Sequence, residues 1–230
     1  MFDKLTKDIY TCFIDRDRYL EIVRGLGNTI IITFFALLIG IVIGLIVALC
    51  KVSAEKNKKL KFLDIIANVY LTVIRGTPVV LQLMIWFYIV LAFAKNPIPV
   101  AILGFGVNSG AYVAEIFRSG IQAIDKGQME AGRSLGLSYT QTMRKIILPQ
   151  AFKNVLPALG NEFIALLKET SVVGYISGHD LTRGAYNIRN ATYSSFLPLV
   201  GAALIYLIIV MILTSLLSRL ERRLRQGDCR

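Results

Sequence analysis

Residues 60–94 read LKFLDIIANVYLTVIRGTPVVLQLMIWFYIVLAFA, and the way this stretch crosses a membrane decides the fold. As one straight helix its 35 residues would run roughly 50 Å, well beyond a hydrocarbon core of about 30 Å. Gly76-Thr77-Pro78 interrupts it. Proline lacks an N–H and disfavours helix in the residue before it, so the stretch is either two spans or one long, kinked element. Charge chooses between them. Lys51, Lys56, Lys58, Lys59 and Lys61 crowd the preceding loop against Glu55 alone, and Arg219, Arg222, Arg223 and Arg225 follow the last apolar run.

Working outward, four further apolar segments are plain, roughly residues 26–50, 98–124, 147–167 and 196–217. A polar stretch between the second and third carries Lys126, Arg133, Arg144 and Lys145. Counting residues 60–94 as a single span puts all three basic clusters on the cytoplasmic side, with the N-terminus outside and the C-terminus in the cytoplasm. A sixth span would place the lysine loop outside, against the positive-inside tendency. The N-terminal flank is balanced: Lys4, Lys7, Arg16, Arg18 and Arg24 offset Asp3, Asp8, Asp15, Asp17 and Glu21. The expectation is an all-α, five-span membrane bundle, one domain over residues 1–230.

Composition agrees. The chain is 55% hydrophobic and 18% charged, with mean hydropathy +0.59, outside the range of ordinary soluble domains. The +11 net charge sits beside apolar runs, where anionic lipid attracts it, so nucleic acid is not an expected partner. Cys12, Cys50 and Cys229 form no CxxC pair and read as incidental thiols, not a disulfide framework or metal site. His179 is the sole histidine, which excludes HExxH zinc chemistry. Two dozen mixed-charge residues before the first apolar run do not read as a signal peptide, and Asn190-Ala191-Thr192 is a sequon to which we attach no role. Gly40 and Gly44 form a GxxxG pair, expected to pack helices closely within the bundle or at a subunit contact.

The polar stretch, residues 130–149, reads EAGRSLGLSYTQTMRKIILP. Residues 126–135 suit a short helix, Gly136 a stop at positive φ, and Ser138 with Gln141 a capping box opening a second helix. Arg133, Arg144 and Lys145 are expected to face water, and Met129, Leu135 and Leu137 to enter a groove on a partner. Glu130 bonds loop backbone or a partner's base, or is simply solvated. Residues 127–134, GQMEAGRS, nearly spell a P-loop, but arginine stands for lysine and no buried strand precedes, so nucleotide binding by this chain is not expected.

Glu130-Ala131-Gly132, Gly136, Ile146 and Leu148-Pro149 together resemble the EAA loop of permease subunits in bacterial ABC importers. Arg75-Gly76-Thr77-Pro78 with Gln82, residues 109–128 and residues 160–168 resemble the polar-amino-acid branch of that family, and the likeness spans roughly residues 28–171. Residues 1–24 and 172–195 match nothing diagnostic. Gly132 departs from the motif, which has a second alanine there. A glycine weakens a helix by about 1 kcal/mol, so a softer docking loop is expected. The resemblance implies the fold of a type I importer permease in the bacterial plasma membrane, with residues 126–149 as a cytoplasmic coupling loop. It also implies a second permease subunit, identical or similar, two ATPase subunits that hold ATP and Mg, and an external solute-binding protein delivering an amino acid. This chain itself would bind no cofactor and catalyse no reaction.

Charge at depth marks a candidate pathway: Arg75, Thr77, Gln82, Glu115, Asn161 and Glu162. A charged residue at a helix centre costs about 2.5–3.5 kcal/mol on insertion scales and is expected to face a cavity or a partner. A helix broken at Thr77-Pro78 can aim N–H groups at a carboxylate, with Arg75 adjacent and Glu162 for an ammonium. The alternative is an internal salt bridge between Arg75 and a glutamate, with Glu162 the partner to test. The other functional class, a membrane-embedded enzyme using Arg75, Glu115 and Glu162, lacks a nucleophile–base pair.

Overall fold

The computed structural model describes residues 2–56 and 60–226. Lys58, Lys59 and Cys229 lie outside them. Every element among the described residues is helical: α1 (Phe2–Ile9), α2 (Tyr19–Lys56), α3 (Lys61–Gly76), α4 (Val79–Ile85), α5 (Pro97–Gln122), α6 (Lys126–Ser134), α7 (Tyr139–Thr142), α8 (Leu148–Glu169), α9 (Leu181–Thr192) and α10 (Phe196–Gln226).

Helix α2 is 38 residues long, so at 1.5 Å per residue it is longer than a hydrocarbon core is thick. It lies along α5, and glycine makes the approach possible. A Cβ on Gly40 would stand 2.9 Å from Ser109 Oγ, and one on Gly44 2.7 Å from Val113 Cγ1. In return, Gly106 and Gly110 of α5 receive Ile39 and Ile43. The GxxxG pair therefore packs inside this chain. Between these helices, α4, α8 and the 3-10 turn Thr170–Ile176, the core closes on Ile32, Leu83, Phe105, Leu166 and Ile176.

The break in residues 60–94 is real and sharper than a kink. The axis of α3 meets the second piece, α4 continued by a π-helical turn (Trp86–Val90), at a bend of 108°. Thr77 and Pro78 are extended, and Gln82 latches the corner. Its amide donates to Ile74 O at 2.7 Å, Thr77 Oγ1 at 2.8 Å and Thr77 O at 3.1 Å, while its carbonyl accepts from Asn108 Nδ2 at 3.0 Å.

Among the described residues three helices are long and apolar enough to cross a membrane, within residues 19–52, 97–122 and 196–224, and a fourth if the bent pair is one span. The segment expected at residues 147–167 does form a helix, α8, but its face carries Asn161 and Glu162, and it is not among those helices. Apolar side chains of α10, Leu207, Ile208 and Met211 among them, stand more than half exposed, as a membrane-facing surface does.

Residues 172–195, undiagnostic in sequence, fold as firmly as the rest. Asp180, fully buried, caps α9 by accepting from Thr182 N and Arg183 N. Gly25 and Gly184 let α2 and α9 cross with backbones touching: a Cβ there would lie 2.5 Å from Asp180 O or 2.4 Å from Glu21 O. Glu21 Oε2 bonds His179 Nε2 at 2.9 Å and accepts from Asn187 Nδ2 at 2.7 Å. Cys12 is buried in the adjoining cluster with Ile22, Leu181 and Ile188.

Candidate functional site

Two features carry chemistry, a cavity beside the helix break and the loop from α6 to α8. The cavity, about 430 Å³, is lined by Arg75 from α3, by Tyr112 and Glu115 from α5, and by Asn161 and Glu162 from α8. Spacing explains the convergence: residues 112, 115, 116 and 119 share one face of α5, and 158, 161, 162 and 165 one face of α8. Arg75 Nη1 stands 4.0 Å from Glu115 Oε2, and its guanidinium carbon lies 5.6 Å from the Tyr112 ring centre, a cation–π contact. Glu115 also holds Arg118, one turn along α5.

Ser109 Oγ donates to Glu162 Oε1 at 2.7 Å. The α2–α5 glycine contact fixes this serine, which is fully buried. The expected salt bridge between Arg75 and a glutamate forms with Glu115, while Glu162, the partner to test, is held by a serine. The reason is register, since Glu115 sits on the α5 face opposite the end of α3. Thr77 and Gln82 stand at the bend, apart from the residues that line the cavity: Thr77 Oγ1 donates to Val73 O at 2.8 Å, and Gln82 closes the corner. Ser109, Tyr112 and Arg118 escaped the sequence reading. Their signal was the three-residue spacing that runs Ser109, Tyr112, Glu115, Arg118 in SGAYVAEIFR.

In the loop, α6 is capped by Asp125, whose Oδ1 accepts from Gly127 N at 2.6 Å. It ends at Gly136, φ +81°, with Leu137 N bonding Gly132 O and Gly136 N bonding Arg133 O, a Schellman stop. The capping box forms in full: Ser138 N donates to Gln141 Oε1 at 2.8 Å, and Gln141 N to Ser138 Oγ at 3.3 Å. Glu130, Ala131, Leu148 and Pro149 are exposed, Ile146 is half-buried, and Leu135 is 81% exposed. Met129 instead faces its own protein, lining a cavity beneath the loop with Tyr139 and Met143. Gly132 is buried because Thr142 fills the space a Cβ would occupy, 2.5 Å from Thr142 Cγ2. The glycine therefore locks α6 onto α7, where a softer loop was expected.

The chain matches a family model, binding-protein-dependent transport system inner membrane component, over residues 22–226. The chain belongs to this family, on its polar-amino-acid permease branch. The permease is 43% identical to the arginine transport system permease protein ArtQ of Bacillus subtilis (strain 168), over 90% of this chain and 94% of that one. It is 38% identical to the L-cystine transport system permease protein TcyB of the same organism, over 87% and 85%. Against the putative glutamine transport system permease protein GlnP of Rickettsia bellii (strain RML369-C), identity is 37% over 90% and 94%. The crystal structure of an amino acid ABC transporter with histidines superposes with TM-score 0.84 at 42% identity, covering 92% of this permease and 98% of that chain. An inward-facing MetNI methionine transporter superposes at 0.75 with 22% identity, over 90% and 97%, and shares the fold. The family is one of transport permeases, not enzymes.

Proposed function

We propose that this permease forms half of the translocation path of an ATP-driven importer for polar amino acids, crossing the bacterial plasma membrane five times with its N-terminus outside. The observation that carries the reading is the meeting of Arg75, Glu115, Asn161 and Glu162 in one cavity beside a broken helix. Arg75 offers a planar fork to an amino-acid carboxylate; Glu162, positioned by Ser109, faces the ammonium. In the absence of substrate Glu115 balances Arg75, so the internal ion pair and the substrate contact belong to different states of one cycle.

Residues 126–149 are the coupling loop in this reading. Exposed Glu130, Ala131 and Leu135 meet a separate ATPase subunit, and the Gly132–Thr142 contact passes its movement to α7 and α8. Two ATPase subunits holding ATP and Mg, a second permease, identical or similar, and an external solute-binding protein complete the assembly. Closure of the ATPases moves the loops, and the two bundles rock to expose the cavity to alternate sides. The related permeases belong to transport systems for arginine, cystine and, putatively named, glutamine, which supports a polar amino-acid cargo.

The test is uptake by proteoliposomes containing the whole importer. Arg75→Lys keeps the charge but not the fork and should cut transport at least about tenfold, while ATPase copurification and thermal stability stay near wild type. Near-normal uptake by Arg75→Lys and Glu162→Gln combined would overturn the cavity's role.

A further inference from the structure

Beneath the coupling loop two cavities join into one groove of graded polarity. The first, about 330 Å³, is walled by apolar side chains of α2, α5 and α8, including Leu45, Leu49, Phe117 and Phe152. The second, about 470 Å³, lies toward the loop and adds Arg118, Lys126 and Tyr139. Val52, Ile121 and Met143 border both. From Leu45 to Val52 is two turns of α2, roughly 10 Å along the axis. Over that length the wall changes from hydrocarbon to cations and a phenol.

We propose that this groove is a binding site for an anionic phospholipid, an acyl chain lying in the apolar cavity and the headgroup phosphate on the Lys126–Arg118–Tyr139 rim. Continuity with the membrane supports a lipid: Leu45, Leu49 and Phe152 border the groove yet are 44%, 57% and 59% exposed, on helices that face or flank the bilayer. Charge supports an anionic one. Arg118 remains paired with Glu115, and Asp125 caps α6 through one oxygen; Lys126 adds a further cation to the rim, and exposed Arg144 and Lys145 directly follow Met143 in the chain. Basic pockets between membrane helices at the interface are suited to acidic headgroups. Because the rim includes the cap and first turn of α6, lipid there would set the seat of the coupling loop.

The experiment uses the full chain, purified in neutral detergent and mixed with equal amounts of phosphatidylglycerol and phosphatidylcholine of identical acyl chains. Native mass spectrometry counts what stays bound. Phosphatidylglycerol should be retained in preference. Lys126→Gln should lower that preference about fivefold, one basic residue's share near an anionic surface, and Lys126→Arg should keep it. Leu49→Trp, filling the apolar cavity from an exposed position, should lower retention of both lipids. Equal retention of the two lipids, or a preference untouched by Lys126→Gln, overturns the headgroup assignment. A lipid count unchanged in Leu49→Trp removes the acyl chain from the cavity. Disulfide formation between copies carrying Leu49→Cys in native membranes assigns the groove to a second permease and overturns the proposal as well.

Discussion

At the scale of single residues, Gly132 shows how a departure from a motif can be compensated by its neighbour. The glycine leaves room for Thr142, a fully buried side chain on the next helix. Restoring an alanine by Gly132→Ala would gain intrinsic helix propensity, about 1 kcal/mol, but force its methyl into the threonine. Overpacking of this kind costs about 1–3 kcal/mol, so steric strain wins and the variant should unfold at lower temperature. Gly132→Ala with Thr142→Ser, which deletes the colliding methyl, should recover most of the loss. A thermal melt of the single and double variants checks this; a single variant as stable as wild type means the contact carries no strain.

Two elements depend on polar groups that anchor their ends. The α3–α4 corner stands on Gln82, buried and hydrogen-bonded on both sides of its amide. Gln82→Leu fits the volume but leaves Ile74 O and Asn108 Nδ2 without that partner, and a stranded buried group costs about 1–3 kcal/mol. At about 2–4 °C per kcal/mol for a chain of this size, the melting temperature should fall by several degrees, while Gln82→Glu, which keeps only an acceptor, should fall between. Helix α9 stands on Asp180. Burial pushes this carboxyl above its ordinary range, against the pull of the Thr182 and Arg183 N–H groups. With the folded value raised, its stabilising share is full below the unfolded value and is lost as pH rises through the folded one. Asp180→Asn keeps a capping oxygen without that charge and should flatten the pH dependence of stability across the weakly acidic range. Asp180→Ala should lose the cap, about 1–2 kcal/mol at acid pH, and flatten the pH dependence as well. Melts of all three proteins between acid and neutral pH give the answer, and a parallel pH dependence in wild type and Asp180→Asn would sink the assignment.

On the scale of the whole molecule, the number of crossings rests on how the bent pair and α8 are placed. Helix α3 and its partner piece are long and apolar enough to cross only as a pair, and α8 trades apolar side chains for the polar cavity face. Lys61, exposed at the start of α3, should lie in the cytoplasm under the five-span reading, since the adjoining lysines favour that side. In a cysteine-free background, Lys61→Cys should resist an impermeant maleimide in intact cells and react once the cells are opened. Labelling in intact cells would instead place the lysine loop outside, and the residue 60–94 segment would have to be threaded anew.

The order of residues determined by itself whatever depends on near neighbours along the chain. Pro78 removes a donor and disfavours helix at Thr77 just before it; Gly136 accepts a positive φ; Ser138 and Gln141 cap the turn they open. The apolar runs and the EAA and RGTP segments, likewise local, were enough to identify the family. Partners distant in sequence were decided only when the helices packed. Glu115 and Glu162 carry the same side chain, yet one meets Arg75 and the other Ser109, because the depth at which α5 settles against α2 is fixed by Gly40, Gly44, Gly106 and Gly110 together. The role of Gln82, the inward turn of Met129 and the docking of α9 through Gly25 and Gly184 have the same origin. Each is a close approach between residues whose separation is set by the shape of both surfaces, a quantity no single segment contains.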